Sequence, residues 1–325
     1  MPSRVRPFSD EQARALVNLH PRYEALIEAE RELARLPYNL VRKRVGEREY
    51  LYEAIDRLNN GKSLGPMTPE LEQRLAEYRA TKRDLQDRRN NALELVRESG
   101  RMARPLRLPM LSSAAGEVLR ELDRRGLLGT ALLVVGTSCL PAYSLEAGGT
   151  IAEAPDETED FDLAWVADEP SEEAALWAAL KAVDPTFTVN TEREFQARNA
   201  KAYEVELLVA PSRAATMHGL ERPRPVPLPE QEWLLPGRRV DQVVPCRDGT
   251  AARLVVPDPR WFALHKLWLA DKPSRNPLKR DKDRKQGIAI LDAVSESMPH
   301  YPLDAEFARA LPDALVPFWR VWKGR

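Results

Sequence analysis

Acidic and apolar side chains alternate in the segment Glu159-Asp160-Phe161-Asp162-Leu163. In a strand, Asp160 and Asp162 project from the same face, about 6 to 7 Å apart along the backbone. Two ionised carboxylates held so close beside a buried sheet are costly unless a divalent cation lies between them, and such oxygen ligands suit Mg²⁺. The spacing therefore indicates a metal site, with a solvated sheet edge as the alternative.

A third carboxylate is available from the segment Tyr203 to Val209, which also has the composition of a strand. Glu204 and Glu206 share one face of this strand. If the strand lies beside that of Asp160, one of them completes a cluster of three acids. Glu206 is preferred because Val205 and Leu207 flank it, and Glu204 is the alternative.

A glycine followed by two hydroxyl residues, Gly136-Thr137-Ser138, comes directly after the apolar run Ala131 to Val135. Such a run suits a strand buried on both faces, and Pro141 fits the first turn of a following helix. Glycine lets a ligand approach the backbone, and free N–H groups at the start of a helix favour anions. The segment indicates a phosphate site, and an ordinary strand-to-helix turn is the alternative.

Basic residues are concentrated in the C-terminal part of the chain. Residues 272–285 contain seven basic and two acidic side chains, and Lys266 lies in an amphipathic helix just before them. This charge could neutralise a triphosphate or contact a nucleic-acid backbone. A solvated helix face is the alternative for both features.

The order of these pieces resembles the three-part signature of the DNA polymerase β-like nucleotidyltransferase superfamily. Longer segments are similar to a bacterial nucleotidyltransferase family with an N-terminal helical extension, and Lys282 is the basic residue that best fits its pattern. The similar segments are residues 48–52, 62–66, 136–143, 158–163, 259–267 and 279–283. In this chain Thr137 follows the first glycine, where the superfamily usually has glycine or serine, and the third acid is glutamate instead of aspartate.

The resemblance implies an α+β, polymerase β-like fold: a mixed sheet flanked by helices, with an N-terminal helical arm and a C-terminal, mostly helical region. It implies that Asp160 and Asp162 hold two Mg²⁺ ions, with Mn²⁺ as a substitute, and that Glu206 completes the site. The phosphates of an NTP would be held by a further set of residues: Gly136, Thr137, Ser138, Lys266 and Lys282. Attack on the α-phosphorus then transfers a nucleoside monophosphate and releases pyrophosphate.

The chain is expected to have three parts: a helical arm (1–104), a catalytic core (105–215) and a C-terminal hairpin and helical region (216–325). In the arm, helices are expected from Ser9 to Leu36 and from Pro69 to about Ser99. Residues 45–55 could be helix or strand, and residues 61–66 are expected to form a loop.

Composition excludes several classes of protein. The 325 residues are 43% hydrophobic and 30% charged, with two isolated cysteines, so a disulfide framework or a zinc site is not indicated. Without a long apolar run or a signal peptide, we expect a cytoplasmic protein with no membrane contact. The formal net charge of -1 argues against a protein devoted to coating nucleic acid.

These observations leave three functions open. The leading one is transfer of a nucleotide to an acceptor hydroxyl on a protein, an RNA or a small molecule. The second, kept open by the glutamate at the third acidic position, is a catalytically weak nucleotide-binding regulator that engages a partner through the helical arm. The third is a nucleic-acid binder that works through residues 272–285.

Overall fold

The computed structural model describes residues 4–152, 154 and 160–324. The chain forms two compact units, Met1–His20 with Glu98–Arg325, and Pro21–Arg97. The three-part division expected from the sequence places its boundaries elsewhere, at residues 104 and 215. In the structure, the catalytic core and the C-terminal region are parts of the same unit.

The strands and helices are numbered in chain order. Those up to residue 135 are β1 (Val5–Pro7), α1 (Asp10–Arg35), β2 (Asn39–Val45), β3 (Arg48–Ala54), β4 (Gly61–Pro66), α2 (Pro69–Ala103), α3 (Ser113–Arg124) and β5 (Leu132–Val135). Those from residue 140 to 209 are α4 (Leu140–Glu146), β6 (Gly149–Ile151), β7 (Asp160–Trp165), α5 (Ala175–Val183), β8 (Thr188–Val189), β9 (Gln196–Arg198) and β10 (Glu204–Val209). The remainder are β11 (Val240–Pro245), β12 (Ala251–Val256), α6 (Pro259–Asp271), α7 (Pro277–Ser297), α8 (Ala305–Ala310) and α9 (Val316–Lys323).

The smaller unit contains a three-stranded antiparallel sheet in the order β2-β3-β4. A small core of Leu40, Leu51, Leu75 and Tyr78 packs this sheet on α2. The arm therefore contains a sheet as well as the expected helices: residues 61–66, expected as a loop, form β4, and most of residues 45–55, left open between helix and strand, form β3. Pairing with β3 satisfies the backbone groups of β4, and this tertiary effect overrides a composition rich in glycine and proline.

The larger unit is built on a five-stranded mixed sheet in the order β5-β7-β10-β9-β8. β7 and β10 run parallel, while the other neighbouring strands run antiparallel. The register places Glu204 opposite Asp160 and Glu206 opposite Asp162. Phe161 and Val205, which point to the other face, are buried. The expected mixed sheet with flanking helices is confirmed, and its register brings the acidic residues of two strands side by side.

Helices and a β-hairpin surround this sheet. Helix α3 begins at a Ser112 cap, whose side chain accepts from the backbone N–H of Ala115. The pair α6 and α7 follows the β11–β12 hairpin, and Asp258 and Asn276 cap the two helices. Within the described residues, none of the helices combines the length and hydrophobicity that a membrane crossing requires.

Candidate active site

The turn after β5 lies directly against the acidic strand β7. Gly136 has φ +70°, a left-handed conformation that favours glycine, and a Cβ at this position would overlap the carboxylate of Asp162. Thr137 and Ser138 continue as a 3-10 turn into α4. The glycine is therefore required both by the backbone conformation and by the close approach of Asp162.

Asp160 and Asp162 lie on β7, and Glu206 lies beside Asp162 on β10. Burial raises the pKa of Asp162, and Asp160 raises it further, while the nearby Lys266 opposes the shift. Burial together with Asp162 and Asp160 raises the pKa of Glu206 to about 7. The carboxylates thus interact electrostatically, and a bound cation would be favoured among them.

Glu204 and Glu206 are distinguished by their partners. Glu204 forms an ion pair with Arg198 at 2.6 Å. The buried amide of Gln196 donates to Glu204 at 2.9 Å and to Glu206 at 3.1 Å. Since Arg198 neutralises Glu204, Glu206 is the glutamate of β10 whose charge is coupled to the two aspartates.

The carboxylates of Asp160, Asp162 and Glu206 have the chemistry that a hard divalent cation requires, but the described residues do not arrange them as a metal site. Carboxylate oxygens are the ligands that Mg²⁺ prefers. In the part of the chain that the structure describes, no group of three or more His, Cys, Asp or Glu side chains is arranged to hold a metal ion. Instead, Lys279 Nζ lies 3.2 Å from Asp160 Oδ2, so an ammonium group provides positive charge at this carboxylate.

A cavity of about 550 Å³ opens beside these residues. Thr137 and Ser138 line it on one side, and Asp160 and Asp162 form its acidic wall. Its five basic residues are Arg247, Lys266, Arg275, Lys279 and Lys282. A volume of this size is in the range of small-molecule sites, and the cations suit a polyphosphate.

Six of the eight site residues expected from the sequence line this cavity: Thr137, Ser138, Asp160, Asp162, Lys266 and Lys282. Gly136 is joined to the cavity through its contact with Asp162. Glu206 lies beside Asp162 in the sheet, without forming part of the cavity wall. In segment 158–163, which is similar to the bacterial nucleotidyltransferase family, Thr158 and Glu159 lie outside the described residues.

Lys266 is held in the cavity wall by a buried ion pair. Its Nζ lies 2.9 Å from Asp283 Oδ1, and Arg275 approaches Asp283 Oδ2 at 2.7 Å. Lys266 and Asp283 are 4% and 1% exposed, so the solvated helix face considered for Lys266 is wrong. Helix α6 supplies the lysine and α7 the aspartate, and their packing fixes the ammonium group beside Asp162.

Several residues of the site were not assigned from the sequence. Arg275, Lys279 and Asp283 belong to the basic segment 272–285, but charge density alone does not tell which side chains face inward. Arg247 follows β11 in the hairpin turn, and no sequence signal pointed to it. Gln286 was also not assigned from the sequence, and its buried side-chain amide donates a hydrogen bond to Thr137 Oγ1 at 3.3 Å.

Comparison with known proteins identifies the class. A family model described as nucleotidyltransferase matches residues 113–312, which include the five-stranded sheet, the hairpin and the pair α6–α7. The match spans more than half of the chain. The chain therefore belongs to this nucleotidyltransferase family, a family of transferases.

One similar solved structure is the crystal structure of an antigenic nucleotidyltransferase-like protein from Paracoccidioides brasiliensis. It shares 18% identity, covers 67% of this chain and 91% of its own, and has a TM-score of 0.35. A TM-score of this size does not define a shared fold. None of the curated proteins compared with the chain matches it.

Proposed function

We propose that this protein is a metal-dependent nucleotidyltransferase of the polymerase β-like type, which transfers a nucleoside monophosphate from an NTP to an acceptor hydroxyl. The observation that supports this most is the joint position of three features: the Gly136 turn, Asp162 with its neighbour Glu206, and a cavity wall with five basic residues. Each feature alone has an ordinary structural explanation, but together they match the needs of α-phosphate chemistry.

Asp160 and Asp162 would hold the divalent cations, with Glu206 as the third acidic group. Two such ions, when bound, polarise the α-phosphate and lower the pKa of the attacking hydroxyl. Lys279, which pairs with Asp160 at 3.2 Å and lines the cavity, would then turn from Asp160 to the phosphates. Glu206, which lies beside Asp162 in the sheet, would accept the proton of the acceptor hydroxyl.

The triphosphate would lie between the turn and the basic wall. The hydroxyls of Thr137 and Ser138 donate to phosphate oxygens, and the basic residues of α6 and α7 balance their charge. Because Asp283 fixes Lys266 at 2.9 Å, this ammonium group is positioned before the nucleotide binds, which reduces the entropy lost on binding. Arg247 approaches from the hairpin turn and would close the other side of the cavity.

The second candidate function is nucleotide binding without turnover. The observation that favours it is the absence, within the described residues, of three acidic groups arranged to hold a metal ion. A protein of this kind would bind an NTP in the same basic cavity and release no pyrophosphate.

The test is incubation of the purified protein with Mg²⁺, cell extract and each NTP labelled in its α-phosphate, in parallel with Asp160→Ala. We expect label transfer and pyrophosphate release for the native protein, and loss of both in the variant. Nucleotide binding without either product would favour the second function. Salt-sensitive binding to RNA that survives loss of Asp160 would favour a nucleic-acid binder.

A further inference from the structure

A second cavity, of about 590 Å³, adjoins the first. The two cavities share two lining residues, Ser112 and Tyr203. The remaining walls of the second cavity come from the start of α3, the end of α5 with the residues that follow it, and the loop 199–202. The two cavities therefore meet at the side chains of Ser112 and Tyr203, and the first of them contains the acidic residues of β7.

The hydroxyl of Tyr203 is a buried polar group, and Tyr203 belongs to the wall that the two cavities share. Burial raises the pKa of Tyr203, a weak hydrogen bond with the Ser112 side chain lowers it, and the charges of Asp162 and Glu117 raise it further. Within the described residues, this contact with Ser112 falls short of full hydrogen-bond geometry, so the hydroxyl is incompletely satisfied. A buried hydroxyl in this state is costly, and a bound ligand would remove this cost.

The two cavities differ in charge. The first has five basic side chains and three acidic ones, Asp160, Asp162 and Asp283. The second has one basic side chain, Lys201, and two acidic ones, Glu117 and Asp184. The formal charge of the lining side chains is therefore +2 in the first cavity and -1 in the second. A polyphosphate is favoured in the first cavity and disfavoured in the second.

We propose that the second cavity binds the acceptor, and that the acceptor is a neutral or positively charged small molecule whose hydroxyl receives a hydrogen bond from Tyr203. The inference rests on the proposed function, because it requires an NTP in the first cavity. The inference also narrows the class of acceptor, since the net negative charge of the second cavity would repel the phosphates of an RNA.

The reaction follows from this placement. The acceptor oxygen attacks the α-phosphorus of the NTP, and a new P–O bond forms. The bond between the α-phosphorus and the bridging oxygen breaks, and pyrophosphate leaves with the electron pair of that bond. The acceptor proton is released to solvent, so that atoms and charge balance without any further reactant.

Two variants test the placement. Ala114→Trp puts a large side chain into the second cavity, because Ala114 lines that cavity and not the first. Tyr203→Phe removes only the hydroxyl. Its matched control is Tyr143→Phe, since the buried hydroxyl of Tyr143 donates to the carbonyl of Pro257 at 2.9 Å. Tyr143→Phe should lower the free energy of unfolding more than Tyr203→Phe, because only Tyr143 loses a hydrogen bond of full geometry.

The probe is the low-molecular-mass filtrate of a cell extract, divided by anion exchange into an anionic pool and a pool of neutral and cationic compounds. The RNA and protein fractions of the extract are assayed beside it with α-labelled NTP. We expect label to enter the neutral and cationic pool. We expect Tyr203→Phe to lower this transfer about tenfold, the effect of a lost hydrogen bond, and Ala114→Trp to lower it at least as much by filling the cavity. The affinity for a non-hydrolysable NTP should stay unchanged in Ala114→Trp, because Ala114 does not line the first cavity.

Label transfer to RNA, to protein or to the anionic pool would overturn the inference and leave the proposed function standing. So would transfer to the neutral and cationic pool that Ala114→Trp does not change. If the native protein transfers no label to any fraction and releases no pyrophosphate, the proposed function itself fails, and the acceptor assignment fails with it.

Discussion

The buried carboxylate of Asp283 allows a quantitative prediction. It is 1% exposed and lies 2.9 Å from Lys266 Nζ and 2.7 Å from Arg275 Nη2. Asp283→Asn keeps the size of the side chain but removes the charge that compensates the buried Lys266. Removing one partner of a buried ion pair costs about 3 to 5 kcal/mol. Because Arg275 reaches solvent and the amide can still accept a hydrogen bond, we expect a loss of about 3 kcal/mol in the free energy of unfolding.

Asp281→Asn is the matched control. Asp281 lies on the same helix and forms an ion pair with Lys285 at 2.7 Å, in which the two side chains are 69% and 56% exposed. The substitution and the charge change are the same, but an exposed pair contributes at most about 0.5 kcal/mol. Equilibrium urea unfolding followed by circular dichroism measures both variants. A loss for Asp283→Asn no larger than that for Asp281→Asn would refute the argument that the pair is buried and holds Lys266 in place.

The remaining predictions concern glycine and two titrating groups. Gly126→Ala should lose about 1 kcal/mol of stability because its φ is positive, and Gly136→Ala should lose more, because its φ is also positive and its Cβ would overlap Asp162. Only Gly136→Ala should also lose Mn²⁺ affinity in a calorimetric titration, and equal Mn²⁺ affinities of the two variants would contradict the contact. In metal-free buffer, ionisation of Glu206 should lower the stability of the protein as the pH rises from 4.5 to about 7, because its pKa in the folded state is raised. Urea unfolding should therefore show Glu206→Gln to be stabilising above this pH range and neutral below it. An effect of the substitution that does not depend on pH would contradict the raised pKa. Burial lowers the pKa of His265 to about 3. The native protein should therefore lose stability as the pH falls below 6.5, and His265→Phe should lose less over the same range. Equal profiles of stability against pH for the two proteins would show that His265 is not buried in its neutral form.

The sequence predicted the parts of the site that lie on regular elements. The two-residue period of a strand is enough to place Asp160 and Asp162 on one face, and the register of β7 with β10 brings Glu206 beside them. The glycine turn was found in combination with the acidic residues, because an apolar strand that ends in glycine and hydroxyl residues can also be an ordinary strand-to-helix turn. Which of Glu204 and Glu206 is coupled to the aspartates depends on Arg198, which lies on another strand and was not linked to them by the sequence pattern.

The residues that escaped prediction are placed by tertiary packing. Arg247 lies in a hairpin turn, and Asp283 lies in a charged helix segment whose average composition suggests a solvated surface. Only the packing of α7 on α6 shows that Asp283 points inward to Lys266. Strand β4 was missed for a similar reason, since it is stabilised by pairing with β3 and not by its own composition.

The most direct test of the central claim is to establish which bond of the NTP is broken. The purified protein, with Mg²⁺ and the filtrate of a cell extract, is given NTP labelled at the α-phosphate in one reaction and at the γ-phosphate in another, beside Asp162→Asn. We predict that the α-label moves to the acceptor and the γ-label appears in pyrophosphate, both dependent on Asp162. Release of the γ-label as inorganic phosphate, its transfer to the acceptor, or full activity of Asp162→Asn would contradict the account.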